Sequence, residues 1–577
     1  MTHIAWALTA AAAVTLPLLT ANTYYLYLAC SAGLLAIVTA GLNVLAGFTG
    51  QISLGHAGFY ALGAYGAALG ATRLGWPAWM AAMSGIVLAA VVGAAVAAAA
   101  LRVSGPYLAM VTIAFGIIVE GVLVEWVSVT GGPGGIFNIP KPSLPHYYWV
   151  VVAGAAGALW LTANLRRSAW GRAFLAVKGS EVAAESLGLS AYYLRIVAFT
   201  VSAALTGGAG ALFAFLNGYI SPDSFTLQTS ILFLLALLFG GMGSVAGPLV
   251  GSLALTLLPE LLTSLSDYRL ILYGALLLIS IYWLPSGVVG ALSRGPARAS
   301  ATQSQAGGEP PPSGPSGRAQ RVPQPLLRVA GVGLSFGGVV ALADLSLTIQ
   351  PGRIHAVIGP NGAGKTSLLN VLTGYYAPDT GTITLSGLPI MGLPPYAIAR
   401  LGVARTFQTA QLFADLTVRE NVAVGLAGEH PGSLLGALIG TAGARRLEQA
   451  LMRDADALLV PMRLAEFADH PSDSLPAGFR RRLEIARALA RRPDLLMLDE
   501  PAAGLSPVEI EELDGLLRAL SDRGGPAIVL VEHHMDLVMA VSDTISVLDQ
   551  GRVIASGSPD SVREDPAVVE AYLGAMG

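Results

Sequence analysis

The sequence predicts a multi-domain protein in which a polytopic all-α membrane domain precedes an α/β P-loop domain, and three observations lead to this fold class. The composition is 54% hydrophobic and only 12% charged, which is too apolar for an ordinary soluble protein of 577 residues. The charges are unevenly placed, because residues 1–291 hold 16 charged side chains and residues 292–577 hold the other 53. In the second half, a glycine-rich loop joins an apolar strand to a helix.

Eight apolar stretches in the first half approach the ~20 residues that a helix needs to cross the hydrocarbon core of a bilayer. They lie near residues 5–20, 24–45, 52–70, 77–101, 105–127, 148–163, 193–217 and 270–291. A ninth stretch, 230–265, would be about 54 Å long as one helix, and it is interrupted by GGMGSVAGP at 240–248. We expect two shorter helices or a re-entrant pair there, and about eight to ten transmembrane segments in all.

The basic residues indicate how the membrane half is oriented. No Lys or Arg precedes the apolar run of the N-terminus, which favours a first membrane segment over a cleaved secretory signal. One loop between predicted spans is rich in basic side chains, and by the positive-inside rule it is cytoplasmic. These side chains are Arg166, Arg167, Arg172, Lys178 and Arg195.

Composition also sets the expected domain boundaries. Residues 293–325 are dominated by Pro, Gly, Ser, Gln and Ala without apolar periodicity, which is typical of a flexible linker. We therefore expect a transmembrane domain over 1–292 and a soluble domain over 326–577.

The net charge and the cysteine count disfavour several classes of function. A formal net charge of −3 gives no indication of a nucleic-acid partner. We interpret the run from Arg480 to Arg482 as a solvated helix face. The single cysteine, Cys30, lies in an apolar run, so the sequence supplies no disulfide framework and no cysteine-based metal site.

The stretch IHAVIGPNGAGKTSLLNVL predicts a strand, a phosphate-binding turn and a helix. Glycines allow backbone N–H groups to point at phosphate oxygens, Lys365 can reach the outer phosphates, and the Thr366 hydroxyl can serve Mg²⁺. On its own, this motif fits a kinase or a GTPase equally well. The expected ATP-binding residues of the turn are Gly359, Pro360, Asn361, Gly362, Ala363, Gly364, Lys365, Thr366 and Ser367.

Two further apolar strands end in polar residues. DLLMLDEP ends with Asp499, which is placed to bind Mg²⁺, and Glu500, which could polarise a water for attack on a phosphate. A solvated loop carboxylate is the alternative interpretation of Glu500. AIVLVEHHM delivers His533 and His534, but adjacent strand residues point to opposite faces, so we do not expect a metal site there.

Taken together, these motifs resemble the ATPase of an ABC transporter. LSFGG, GPNGAGKT, RTFQ, LPAGFRRRLEIARAL, LMLDEP, AAGLSP and VEHHM occur in that family's order over about 326–577, and the set is most similar to the ATPase of branched-chain amino-acid importers. The resemblance implies that Phe336 stacks on adenine, that Gln408 touches Mg²⁺ and senses the membrane domain, and that His533 contacts the γ-phosphate. Core packing is the alternative for Phe336. The implied Mg²⁺ ligands are Thr366, Gln408 and Asp499, and the implied catalytic residues are Glu500 and His533.

The sequence departs from the family pattern at two places. His534 stands where the family usually has Asp, and the signature, which grips the nucleotide of a facing subunit, is altered. Its expected residues are Leu475, Pro476, Ala477, Gly478 and Phe479. Because proline replaces the usual serine, one hydroxyl donor is lost, although backbone N–H groups at a helix N-terminus can still bind an anion. We expect this turn to dock on ATP more weakly than a serine-bearing one.

The membrane half resembles the permease of the same importers over nearly all of residues 1–291, through LNVLAGFTGQISLGHAGFYALGAYGAAL, RVSGPYLAMVTIAFG, TGGPGGIFNIP and NGYISPDSF. GRAFLAVKGSEVAAESLGLSAYY is similar to the importer coupling loop, with a plain interfacial helix as the alternative. The matching coupling residues are Val182, Ala183, Ala184 and Gly188, and Val182 replaces the usual Glu.

Polar side chains at membrane depth are costly, so they are candidates for a substrate path or for bonds between helices. These candidates are Gln51, Ser53, His56 and Glu120, with Glu125 as a further one. Structural hydrogen bonding is the favoured interpretation of His56, and an interfacial location is favoured for Glu125.

The resemblance implies a permease and an ATPase fused in one chain, which import branched-chain or related amino acids across the cytoplasmic membrane with the ATPase on the cytoplasmic side. ATP and Mg²⁺ are the implied cofactors. The implied partners are a second permease and a second ATPase, as separate chains or a second copy, and an external solute-binding protein. The alternatives are a urea or amide importer, an ABC exporter, and an ATP-gated channel or sensor.

Overall fold

The computed structural model describes residues 15 and 17 and the ranges 22–101, 105–261, 269–293, 325–428, 430–522 and 524–573. The predicted segment near 5–20 and the predicted linker 293–325 lie almost entirely outside the described residues. The chain divides into two compact units. We name them after the families that the two halves of the sequence resemble: the permease unit comprises Met1–Phe174, Tyr192–Thr302 and Leu434–Gly440, and the ATPase unit comprises Leu175–Ala191, Gln303–Ser433 and Thr441–Gly577.

The part of the permease unit that the structure describes is helical. In chain order its helices are α1 (Thr23–Leu42), α2 (His56–Thr72), α3 (Ala78–Ala100), α4 (Pro106–Glu125), α5 (Val127–Thr130), α6 (Leu144–Arg167), α7 (Ala169–Gly179), α8 (Glu181–Glu185), α9 (Ala191–Asn217), α10 (Leu227–Gly240), α11 (Gly247–Leu261), α12 (Arg269–Trp283) and α13 (Gly287–Ser293), of which α8 and the end of α7 belong to the ATPase unit. The π-helical segment Asn43–Gly47 continues α1.

Six described segments are long and apolar enough to cross a membrane, compared with the eight to ten predicted. They are Thr23–Gly47, Ala78–Ala100, Tyr107–Glu125, Leu144–Arg167, Ala191–Asn217 and Pro222–Gly240. The predicted span near 52–70 forms the 17-residue helix α2. The predicted span near 270–291 is two helices, α12 and α13, because Pro285 and Gly287, which has a φ of 66°, follow the end of α12.

The predicted break in 230–265 is confirmed, since α10 ends at Gly240 and α11 begins at Gly247. Two glycines make this turn possible: Gly241 has a φ of 124° and Gly243 has a φ of 86°. Residues with a side chain seldom adopt such conformations. The chain therefore reverses within a few residues instead of continuing as one long helix.

Small residues allow the permease helices to approach closely. A Cβ added to Gly63 of α2 would lie 1.9 Å from the carbonyl oxygen of Gly207 in α9, and one added to Gly210 would lie 1.9 Å from that of Tyr60. The two helices thus touch backbone to backbone, an arrangement that small residues favour between helices in lipid.

The ATPase unit contains two sheets. Its strands are β1 (Leu327–Phe336), β2 (Val339–Ile349), β3 (Ile354–Ile358), β4 (Thr380–Leu385), β5 (Leu388–Pro389), β6 (Val403–Arg405), β7 (Leu495–Asp499), β8 (Ala527–Val531), β9 (Thr544–Asp549) and β10 (Arg552–Gly557). An antiparallel sheet has the order β2-β1-β4-β5. The second sheet has the order β10-β9-β3-β8-β7-β6 and is parallel except for the antiparallel pair β9–β10.

Helices surround the mainly parallel sheet. The remaining helices are α14 (Lys365–Leu372), α15 (Pro395–Arg400), α16 (Val418–Ala427), α17 (Leu434–Ile439), α18 (Ala442–Leu459), α19 (Ala477–Leu489), α20 (Pro507–Asp522), α21 (Met535–Val541), α22 (Pro559–Arg563) and α23 (Pro566–Leu573), of which α17 belongs to the permease unit. The sheet is buried on both faces, because Leu495 and Met497 of β7 enter one core while Leu496 and Leu498 enter another. Because β3, β8 and β7 are parallel neighbours, their carboxyl ends meet along one edge of the sheet.

Candidate functional site

The glycine-rich turn lies between β3 and α14, and its backbone conformation requires glycine at two positions. Gly359 has a φ of 148° and Gly364 a φ of 99°. A Cβ on Gly359 would lie 2.1 Å from the carbonyl oxygen of Leu548, and one on Gly364 would lie 2.6 Å from that of Ala341. The remaining turn residues differ in exposure: Asn361, Gly362 and Thr366 are exposed, Pro360 and Ser367 are half-buried, and Ala363 is buried.

Lys365 opens α14 and folds back over the turn. Its side chain is only 7% exposed, and Nζ donates hydrogen bonds to the carbonyl oxygens of Gly359 at 2.7 Å and Pro360 at 3.0 Å. Burial lowers the pKa of this ammonium, while the carboxylates of Glu500 and Asp499 act in the opposite direction. The cation of the turn is therefore within electrostatic reach of both carboxylates that follow β7.

Asp499, the last residue of β7, is buried and paired with Arg405 at the end of β6. The Arg405 Nη2 lies 3.1 Å from Oδ2 of Asp499. Burial raises the pKa of the Asp499 carboxyl, although the arginine counteracts this shift. Neither Oδ1 of Asp499 nor the Thr366 hydroxyl accepts or donates a hydrogen bond among the described residues, and such oxygens are the ligand type that Mg²⁺ prefers.

Glu500, His533 and Gln408 form one cluster at the edge of the sheet. The Glu500 carboxylate accepts a hydrogen bond from Nε2 of Gln408 at 3.0 Å, and its other oxygen lies 3.0 Å from Nε2 of His533. The backbone of Glu500 has a φ of 47°, which costs roughly 1–3 kcal/mol in a residue with a side chain. Its N–H donates to the carbonyl oxygen of Val531 at 2.8 Å. The structure thus brings three predicted site residues together and holds the carboxylate in a fixed orientation.

The interpretation of Arg480–Arg482 as a solvated helix face is wrong for Arg481, which is 5% exposed, whereas Arg480 is exposed. One nitrogen of Arg481, Nη2, donates to the carbonyl oxygens of Gln408 at 2.8 Å and Glu500 at 3.1 Å. The other, Nη1, donates to the carbonyl oxygen of Phe407 at 2.6 Å and to Glu484 at 2.7 Å. Arg481 thus connects the signature helix α19 to both sides of the carboxylate cluster.

Glu484 and Glu532 are site residues that sequence reasoning missed. Glu484, 1% exposed, accepts a hydrogen bond from the N–H of Phe407 at 3.0 Å. Glu532, 2% exposed, accepts from the N–H groups of Ala502 at 2.7 Å and His533 at 2.7 Å. The available signal was a charged residue inside an otherwise apolar run, LEIA for Glu484 and VLVE for Glu532. A buried ion in such a run requires several partners nearby.

Phe336 is 46% exposed, which excludes core packing as its role. Its ring contacts that of Tyr376 edge to face, with centroids 5.0 Å apart. The two aromatic side chains offer an exposed apolar surface, which suits a nucleotide base. Sequence reasoning did not identify Tyr376, because nothing in the local pattern relates it to β1.

The predicted signature residues surround the start of α19, where Pro476 is the N-cap residue. Pro476 and Ala477 are exposed, whereas Gly478 is buried. A Cβ on Gly478 would lie 2.0 Å from Oε1 of Glu509, so a larger residue would displace that carboxylate. The exposed helix start agrees with a surface that meets another subunit.

The other two signature residues anchor this turn from inside. Leu475 is 4% exposed and lies in the core beside the helices of the ATPase unit. The ring of Phe479 packs on that of Phe467, with centroids 5.0 Å apart. Phe479 therefore has a packing role, which accounts for an aromatic residue at this position.

The predicted coupling residues belong to the ATPase unit. Ser180 caps the short helix α8, in which Ala183 and Ala184 are fully buried and Val182 is 43% exposed. The Tyr375 hydroxyl donates to the carbonyl oxygen of Val182 at 2.6 Å.

Further contacts hold the two ends of this segment. Nε of Arg400 donates to the carbonyl oxygen of Gly188 at 3.0 Å, and Gly188 has a φ of 82°. Lys178 forms an ion pair with Asp415 at 2.9 Å. The segment is thus fixed by polar contacts at both ends and by two buried alanines between them.

The predicted substrate-path residues are only partly brought together. Nδ1 of His56 lies 2.9 Å from Oγ of Ser53 and Nε2 lies 2.8 Å from Oγ of Ser202, so both ring nitrogens have partners within the unit, and a place for His56 in a substrate path stays a prediction. Gln51 is 8% exposed at the end of the first span. Glu120 is half-buried, and no hydrogen bond among the described residues joins it to His56. Glu125 is exposed at the C-terminal end of α4.

Asn43 is a buried polar residue of the membrane unit that sequence reasoning missed. Its Nδ2 donates to the carbonyl oxygen of Ser244 at 2.7 Å, and its Oδ1 accepts from the N–H of Gly243 at 2.8 Å. The amide thereby satisfies backbone groups that the break between α10 and α11 leaves free. Asn43 also begins the π-helical segment, a feature that often occurs at functional sites.

Comparisons with known families match both parts of the chain. Residues 24–281 match a family described as branched-chain amino acid transport system, permease component. Residues 342–503 match the ABC transporter family, and residues 552–576 match a family described as branched-chain amino acid ATP-binding cassette transporter.

Curated relatives resemble the second half of the chain. The high-affinity branched-chain amino acid transport ATP-binding protein LivG of Salmonella typhimurium is 45% identical over 251 residues, which cover 44% of this chain and 98% of the relative. The protein of the same description, BraF, from Pseudomonas aeruginosa is 43% identical over 251 residues, with the same coverage. A solved nucleotide-free ATP-binding cassette from an ABC transporter is 30% identical, with a TM-score of 0.38, and the match covers 43% of this chain and 99% of that one.

Proposed function

Because the chain belongs to the ABC transporters of the branched-chain amino-acid type, with permease and ATPase in one polypeptide, we propose that it hydrolyses ATP to import branched-chain or related amino acids. The carboxylate of Glu500, oriented by Gln408 and His533, is the observation that carries this proposal. The matching permease and ATPase families agree on the same class of solute. They do not favour a urea importer, an exporter or a channel.

In the proposed mechanism, the glycine-rich turn and Lys365 bind the phosphates, and the Phe336–Tyr376 pair receives the adenine. Glu500 orients the attacking water and accepts its proton, while His533 donates to the γ-phosphate. The side-chain Nε2 of Gln408 is already bonded to Glu500, which leaves its side-chain Oε1 for a metal. With Thr366 and Asp499 it would hold Mg²⁺, which neutralises charge on the phosphates when bound.

The proposed assembly places two ATPase units face to face, because the signature residues at the start of α19 act on the nucleotide of the other unit. Family membership implies such a dimeric arrangement and a multi-pass membrane location. We place the protein in the cytoplasmic membrane with the ATPase on the cytoplasmic side. A second permease and ATPase, from another copy or from separate chains, and an extracytoplasmic solute-binding protein complete the proposed transporter.

Replacing Glu500 tests the catalytic assignment. In Glu500→Gln, hydrolysis of ATP by the full chain in proteoliposomes should fall by about 10²–10⁴-fold, because the general base is lost. The matched control is Glu511→Gln, the same change at an exposed position of α20, which should retain the wild-type rate. Equal rates in Glu500→Gln and the control would contradict the assignment.

The substrate is tested by uptake. Vesicles that contain the full chain and its partners should accumulate radiolabelled leucine when ATP and a leucine-binding protein are supplied, and Glu500→Gln should abolish this uptake. Urea presented in the same way should not accumulate. Urea uptake without leucine uptake would contradict the proposed substrate class but not the ATPase assignment.

A further inference from the structure

One short helix from the second half of the sequence belongs to the permease unit. The chain contributes Leu434–Gly440 to that unit, although the residues on both sides, up to Ser433 and from Thr441, belong to the ATPase unit. This segment contains α17 (Leu434–Ile439). The exchange is reciprocal, because Leu175–Ala191 from the first half belongs to the ATPase unit. The predicted coupling residues lie in Leu175–Ala191, so they explain that segment, whereas Leu434–Gly440 needs an explanation of its own.

Helix α17 packs against α6, and one side-chain hydrogen bond joins the two helices. Gly436 and Ala437 are buried. The side-chain Nδ2 of Asn164 in α6 donates to the carbonyl oxygen of Leu438 at 3.0 Å. Asn164 lies in the last turn of α6, just before the basic residues Arg166 and Arg167. Because that end is the cytoplasmic one by the positive-inside rule, α17 lies at the cytoplasmic boundary of a membrane span.

The face of α17 that is not packed against α6 is apolar. Leu435 is 69% exposed and Ile439 is 52% exposed. No charged side chain occurs anywhere from Pro431 to Ala444, within a half of the chain that holds most of the charges. One exposed apolar side chain would be unremarkable, but two on a short helix that docks at the end of a membrane span require an apolar environment.

The neighbouring surface of α6 indicates what that environment is. Trp160, one turn before Asn164 in the same helix, is 50% exposed. Tryptophan is enriched at the boundary between headgroups and acyl chains, where its ring is apolar and its N–H can reach water. Near the cytoplasmic end of α6, both helices thus expose apolar side chains of the kind found at a lipid boundary.

A glycine with a positive φ lies on each side of α17. Gly432 has a φ of 79° before the helix and Gly440 has a φ of 66° after it. A Cβ on Gly440 would lie 3.1 Å from Nδ2 of Asn164, so a side chain there would press on the docking contact. Both ends of α17 are thus turns that residues with side chains seldom adopt.

We propose that α17 is an interfacial membrane anchor of the ATPase half. It docks on the cytoplasmic end of α6 through the hydrogen bond from Asn164 to Leu438, and it buries Leu435 and Ile439 in the lipid at the boundary of headgroups and acyl chains. This inference depends on the membrane location of the permease unit and is independent of the transported solute.

Site-directed spin labelling in proteoliposomes tests the lipid contact. In a Cys30→Ala background, a nitroxide on Leu435→Cys should be more accessible to oxygen, which partitions into lipid, than to a water-soluble nickel chelate. The matched control is Val508→Cys, an apolar residue of α20 that is 67% exposed, which should show the opposite order. An aqueous profile at both positions would overturn the lipid contact, and a label at 435 that neither reagent reaches would assign this face to a protein partner instead.

Cross-linking tests the docking on α6. Oxidation of Asn164→Cys/Gly440→Cys, or of Asn164→Cys/Leu438→Cys, should form a disulfide in the full chain, whereas Asn164→Cys/Val508→Cys should not. Retained ATP hydrolysis shows that each variant is folded. Folded variants in which neither of the first two pairs cross-links would overturn the docking of α17.

Discussion

The two units of this protein both bury polar side chains, but of different kinds. In the permease unit, the buried side chains include the amide of Asn43 and the imidazole of His56, which bond to backbone atoms or hydroxyls. Beneath the ATPase site, ions are buried in pairs: Arg405 with Asp499, and Arg481 with Glu484. A charge at the centre of a membrane costs about 2.5–3.5 kcal/mol or more, so an amide is the less costly way to satisfy free backbone groups there.

The buried polar groups have a different role in each unit. In the permease unit the buried amide compensates for a break in a helix. In the ATPase unit the buried ions hold three chain segments in register around a carboxylate that must keep one orientation. We expect the loss of a buried ion pair to cost more than the loss of the buried amide, and a change at an exposed position to have the smallest effect.

The largest effect is expected from Arg481→Met. The substitution leaves Glu484 buried without its ion pair, and breaking such a pair typically costs about 3–5 kcal/mol. It also removes the donors to the carbonyl oxygens of Gln408 and Glu500. Denaturant unfolding of the full chain in detergent should show this loss of stability, together with reduced ATP hydrolysis.

Arg480→Met is the control for this change, because Arg480 is the preceding residue on the same helix and is exposed. Exposed substitutions usually change stability by less than about 0.5 kcal/mol. If the two methionine variants were equally destabilised, burial of the ion pair would not be the cause.

An intermediate effect is expected from Asn43→Leu. The change removes the partners of Gly243 N–H and Ser244 C=O, which are partly buried, so each group costs at most the roughly 1–3 kcal/mol of a fully buried group without a partner. Thermal unfolding in lipid nanodiscs should occur at a lower temperature. Thr200→Val is the control, since the partner of that hydroxyl among the described residues is the carbonyl oxygen of Ile196 in the same helix, whose backbone bonds persist without it. Equal shifts in both variants would show that the break does not depend on Asn43.

The smallest effect is expected from Pro476→Ser, which restores one hydroxyl at the exposed start of α19. One additional hydrogen bond contributes about 0.5–1.5 kcal/mol, so the apparent affinity for ATP in steady-state hydrolysis should rise by about tenfold at most. Pro476→Ala separates loss of the proline ring from gain of the hydroxyl. An unchanged affinity in Pro476→Ser would contradict the prediction that the altered signature docks more weakly.

Much of the ATPase site could be predicted because its chemistry is local. Gly359 directly follows β3 in the turn that leads to Lys365, Asp499 ends β7 and Glu500 follows it, and parallel strands bring their carboxyl ends to one edge of a sheet. The pairing of Arg405 with Asp499 could not be predicted in this way, since it depends on which strand neighbours β7. The exposure of Phe336 and its contact with Tyr376 likewise depend on the packing of β1.

The amino-acid sequence by itself determined the two halves, the order of the nucleotide-binding motifs and the break between α10 and α11, because composition, strand length and glycine positions act over a few neighbouring residues. Only the tertiary structure decided that Arg481 is buried while Arg480 is exposed, that Asn43 satisfies a break 200 residues away in sequence, and that Leu434–Gly440 joins the permease unit. Those outcomes depend on contacts between distant parts of the chain, and no local pattern encodes which distant surface a residue will meet.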